Sequence, residues 1–115
     1  MKPIIATEVQ EAINTFATQD VYIHMETTNG AYASHFDEDF FSAGAYIRNA
    51  KCTYEHGKVA GEGPFRVGLK LEIGWIYAEG LTHFEIDEQN RLLMAGHGHD
   101  GKLAVALQIS ATPFT

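Results

Sequence analysis

The chain has 115 residues, 45% of them hydrophobic and 20% charged, with a net charge of −7. That length supports one domain with one core, and the apolar fraction argues against disorder. The negative charge repels phosphate backbones and anionic lipid heads, so neither nucleic acid nor a membrane is an expected partner.

The eight basic residues are scattered, with no basic run to offset the acidic total. Cys52 is the single cysteine, which rules out an intrachain disulfide and fits a reducing compartment. The N-terminal MKPIIATEVQEA has too short an apolar stretch for a signal peptide. No apolar run approaches the roughly 18 residues a spanning helix needs. A cytoplasmic protein is the expectation, with residues 1–115 forming a single domain.

In chain order, TEVQEAINTFA predicts a helix over about residues 7–17. Thr7 stands at the cap position with Gln10 three residues on, the capping-box spacing. Val9, Ile13 and Phe16 form its apolar stripe, and Glu8 and Glu11 suit its first turn. From about residue 21 to 110 the chain reads as a β meander. Val21 to Thr28 alternates into Asn29-Gly30, a strong hairpin signal, and Ala31 to Phe36 returns. Phe40 to Tyr54 is a long β segment bent at Gly44. Gly57 to Pro64 turns, and Phe65 to Glu72 puts Val67, Leu69 and Leu71 on one face. Trp75 to Ile86 is another long run, with Gly80 marking a bulge or bend. Asp87 to Asn90 turns, and a last hairpin closes around Asp100-Gly101. The predicted fold is mainly β (α+β), with the helix followed by about seven or eight mostly antiparallel strands, barrel-like or in two sheets. Such a short chain has sheet edges to hide, so a homo-oligomer is expected.

Three constellations could carry chemistry. Counting outward from Asn29-Gly30 pairs His24 with His35 and puts Glu26 diagonal to His35. Two imidazoles and a carboxylate can hold a divalent metal or support acid–base work. A polar sheet face is the plainer reading, and one residue of register shift dissolves the cluster. In the last hairpin, His97 and His99 share a face, with His97 across from Ala104 and Lys102 directly across from His99. That ammonium opposes a cation, and Asp100 suits a bond to its own turn, so a hairpin end is favoured over a ligand set. In GWIYAEGLTHFEI, Trp75, Tyr77 and Glu79 share one face opposite Ile76, Ala78 and Phe84. That face is either packed or an aromatic wall for a ligand. Cys52 has no base at two- or four-residue spacing on its face except His56, and reads as a lone buried thiol.

The blocks YIHMETT, AYIRNAKCTY, GEGPFRVGLK, GWIYAEGLT, DEQNRLLMAGH and GKLAVALQIS resemble, in order and spacing, the YojF family of small proteins from Bacillus-type bacteria. The likeness runs from the helix to Pro113-Phe114. It implies a compact, mainly β fold and no particular catalytic residue. Through a neighbouring gene for a deacetylase like those of bacillithiol synthesis, it also implies an accessory role near low-molecular-weight thiol or aminosugar chemistry. The expected function is therefore a binding or accessory protein with no catalysis of its own and that deacetylase as a partner. The alternative is a small metal-assisted enzyme built on His24, Glu26 and His35.

Overall fold

A computed structural model describes residues 1–28, 44–98 and 100–115. Its elements are β1 (Lys2–Pro3), α1 (Ala6–Phe16), β2 (Asp20–Thr27), β3 (Ala45–Thr53), β4 (His56–Ala60), β5 (Phe65–Lys70), β6 (Trp75–Leu81), β7 (His83–Ile86), β8 (Leu92–His97) and β9 (Leu103–Ser110). The strands form two antiparallel sheets. One has six strands in the order β1-β7-β8-β9-β2-β3, and the other has three in the order β4-β5-β6. Among the described residues the six-stranded order runs open from β1 to β3, so the two-sheet expectation holds and the barrel-like one is not supported.

Helix α1 buries Val9, Ala12, Ile13 and Phe16, the stripe its spacing predicts. Its start differs from expectation. Ile5 occupies the cap position and no side chain caps the helix, so Thr7 lies inside the first turn. The Ile5 carbonyl accepts from Glu8 and Val9 instead. Gln10, expected in a capping box, turns away from the helix end. Its Nε2 donates to the Gly57 carbonyl at 2.8 Å, and its Oε1 accepts from the Val59 N–H at 2.9 Å. Gln10 thus fastens α1 to edge strand β4, because unpaired ladder groups of an edge need partners.

The core lies between the sheets and under α1. Val21 and Ile23 of β2, Val67 and Leu69 of β5, Leu92 and Met94 of β8, and Leu107 and Ile109 of β9 are all fully buried or nearly so. The run predicted from Trp75 to Ile86 is divided at Thr82, so that β6 ends one sheet and β7 begins in the other. Gly80, at φ +84°, takes the bend. The close approach behind it requires a second glycine, since a Cβ on Gly96 would stand 1.9 Å from the Gly80 carbonyl oxygen.

Candidate functional site

The site residues foreseen around the first hairpin fall on β2. Val21 and Ile23 point into the core, so the pleat turns Tyr22, His24 and Glu26 to the opposite face. His24 and Glu26 come together, with Nε2 and Oε1 3.6 Å apart. The predicted third member, His35, and the returning strand Ala31 to Phe36 lie outside the described residues. Strand β2 is hydrogen-bonded on one edge to β3 and on the other to β9.

His24 is only 5% exposed. Opposite it, β3 bulges. Ile23 pairs with Ala50 and Met25 with Ile47, so Arg48 and Asn49 together face one residue of β2. Asn49 sits at φ 58°, a left-handed conformation that asparagine tolerates. Its side chain then holds the C-terminal tail. The Phe114 N–H donates to Asn49 Oδ1 at 2.6 Å, and Asn49 Nδ2 donates to the Phe114 carbonyl at 2.8 Å. The Arg48 guanidinium lies 4.7 Å from the Phe114 ring centre. Phe114 and Tyr46 thereby set their rings edge-on to His24, at 6.3 and 5.2 Å. Among the described residues His24 Nδ1 has no hydrogen-bond partner.

The same outer face carries a second pair. The register places His83, Ala95, Ala106 and Glu26 in one row across β7, β8, β9 and β2. His97 lies two residues beyond Ala95 and so is diagonal to His83. The two rings meet at 5.0 Å between centres, and their Nδ1 atoms stand 3.4 Å apart. Thr82 supports both, with its Oγ1 2.7 Å from His83 Nδ1 and accepting from the His97 N–H at 3.3 Å. His97 was expected across from Ala104. A bulge after Gly96 pairs it with Leu103 instead. Asp100 Oδ1 accepts from the Lys102 N–H at 2.9 Å, the turn role foreseen for it. His99 lies outside the described residues. His83 was missed by the sequence reading, since counting outward from the Asp87–Asn90 turn pairs it with Met94, one residue short of the Ala95 it faces.

Trp75, Tyr77 and Glu79 share the exposed face of the three-stranded sheet, as the alternation predicts. The two aromatic rings are near-parallel, with centres 5.4 Å apart. A Cβ on Gly68 would lie 2.7 Å from the Tyr77 ring, so that glycine gives the ring its seat. Lys70 reaches over Trp75 and Arg66 over Tyr77, and Arg66 also donates to Glu79 at 3.3 Å. Glu79 is therefore spent on a surface ion pair.

Sequence reasoning did not find the groove beside α1. Its volume is about 620 Å³, and its walls include Glu8, Glu11 and Thr15 of the helix and Gln19 just beyond it, with Gln89 and Thr112 opposite. Ile86 supplies exposed apolar surface, and Phe16 and Leu92 lie buried beneath the floor. The helix contributes because its stripe is narrow. Its buried side faces the core, and the flank with Glu8, Glu11 and Thr15 stays open. Cys52 is half-buried, and burial pushes its thiol above the ordinary value. That keeps it protonated near neutral pH and unsuited to nucleophilic attack.

The family described as "Protein of unknown function (DUF1806)" matches residues 3–114. The chain is 58% identical to the protein named "Uncharacterized protein YojF" of Bacillus subtilis (strain 168), over 100% of this chain and 99% of that one. The crystal structure of the Bacillus subtilis YojF protein is 53% identical and covers 99% of this chain and 96% of its own, with a TM-score of 0.82. By sequence and fold together, the chain belongs to the YojF family.

Proposed function

We propose that this chain is a binding protein without catalysis of its own, and that the groove beside α1 takes a small polar cation or polyol. The groove itself carries the reading. Its volume of about 620 Å³ lies within the usual span for small-ligand sites. Two carboxylates, Glu8 and Glu11, stand on one wall, with amide and hydroxyl side chains around an apolar floor. Carboxylates attract an ammonium group, amides and hydroxyls match sugar hydroxyls, and the exposed Ile86 side chain suits the apolar face of a sugar ring. An amino sugar combines these features. The same chemistry agrees with an accessory role near aminosugar or low-molecular-weight thiol metabolism and with a deacetylase partner. Self-association and a cytoplasmic setting belong to the same proposal.

Thermal unfolding with added D-glucosamine, D-glucose and glucose 6-phosphate tests the groove. The amino sugar is expected to raise the Tm most and the phosphate least, and a Glu8→Gln, Glu11→Gln double variant is expected to lose the difference. No stabilisation by the amino sugar, or equal stabilisation by the phosphate, overturns the reading.

The metal-assisted alternative on His24, Glu26 and His35 keeps one supporting observation. A buried imidazole nitrogen without a partner among the described residues is a costly feature, and a ligand to it would remove the cost. Zinc-dependent stabilisation that disappears in both His24→Gln and His35→Ala is the result this alternative requires.

A further inference from the structure

The geometry points to a tetrahedral divalent-cation site held by His83 and His97 on the outer face of the six-stranded sheet. Two nitrogens bound to one tetrahedral zinc at about 2.0–2.1 Å each must stand about 3.3–3.4 Å apart. Right-angled positions, as in octahedral or square-planar sites, would bring them to about 2.8–3.0 Å. The two Nδ1 atoms are 3.4 Å apart. That separation is long for a hydrogen bond between two ring nitrogens. It equals the edge of a zinc tetrahedron.

The frame around the pair is fixed. His83 begins β7 and His97 ends β8, and the two strands are in register from His83–Ala95 to Ile86–Leu92. Gly96 is pressed against the Gly80 carbonyl, so β8 cannot slide at this point. His97 is exposed and His83 partly so, leaving solvent access for a cation and for the waters that would complete its coordination. Binding also leaves no polar group stranded. Without a cation, the Thr82 hydroxyl lies 2.7 Å from His83 Nδ1 and can donate to it. When that lone pair goes to a metal, the Thr82 oxygen must move off the Nδ1 axis, and the Ala95 carbonyl, 3.4 Å away, is within its reach. The net charge of −7 favours cation approach.

The site is separate from the α1 groove and from His24, so its test stands apart from theirs. Zinc is titrated into the full chain by calorimetry, and cobalt(II) is titrated while the visible spectrum is followed. One zinc per chain is expected, together with the intense visible absorption of tetrahedral cobalt. His83→Ala and His97→Ala should each weaken zinc binding at least about tenfold. Their Tm values without metal should match the parent, since both residues lie at a solvent-exposed corner. His24→Gln should leave the affinity unchanged. Absence of zinc binding, a weak octahedral cobalt spectrum, or affinity retained in either alanine variant overturns the proposal. So does loss of binding in His24→Gln.

Discussion

Tyr54 is wholly buried, and its hydroxyl donates to the Ile13 carbonyl of α1. That carbonyl lies in the last turn of the helix, where no intrahelical partner remains. Burial, and secondarily the neighbouring Cys52, push the phenol well above its ordinary value of 10.0. The folded chain thus keeps a proton that the unfolded chain begins to lose near pH 10. The stability from this group is complete below that pH and declines as pH rises toward the folded value. Tyr54→Phe strands a buried carbonyl and is expected to cost about 1–3 kcal/mol at neutral pH, measured by urea unfolding. The same variant should show a shallower loss of stability above pH 10. An unchanged alkaline slope would remove Tyr54 from this role.

At the scale of elements, the corner between β6 and β7 decides the architecture. The chain leaves the three-stranded sheet at Leu81 and enters the six-stranded one at His83, and the approach of Gly96 to Gly80 permits it. A methyl group on Gly96 meets backbone rather than a yielding side chain, so relief requires β8 to move. Gly96→Ala is expected to destabilise by about 1–3 kcal/mol or more, as overpacked interiors do. Amide exchange should quicken in β8 and β7 while β4 and β5 stay protected. A variant as stable as the parent would mean that the corner has slack. Sequence reading reaches this corner only in part. Gly80 announces a bend by its place in a strand-like run, but the change of sheet depends on what packs behind it. Gln10 teaches the same lesson, since local spacing assigns it to a helix cap while a distant strand edge claims both ends of its amide.

For the whole molecule, the question is how the sheet ends are covered. Among the described residues β3 closes one end of the six-stranded order, and it exposes Tyr46 at 66% and Ile47 at 44%. A nine-residue strand with such side chains is an invitation to pair. Under the proposed self-association, sedimentation at micromolar concentration should report more than one chain per particle, and Ile47→Lys should shift it toward monomer. A parent that sediments as a monomer would end that proposal.

The residues by themselves determined one helix with its buried stripe and the alternating faces of β5 and β6. They also determined the register of β8 on β9 from Leu92–Ile109 to Gly96–Val105. These follow from short periods and turn residues, which act over a few positions and do not depend on the rest of the chain. Only the tertiary structure decided which sheet each strand joins and that His83 meets His97 on neighbouring strands. It also showed that Phe114 lies beside His24 and that a groove remains along α1. Those outcomes come from non-local packing and from bulges of single residues, where fitting a core outweighs the local preference of any one segment.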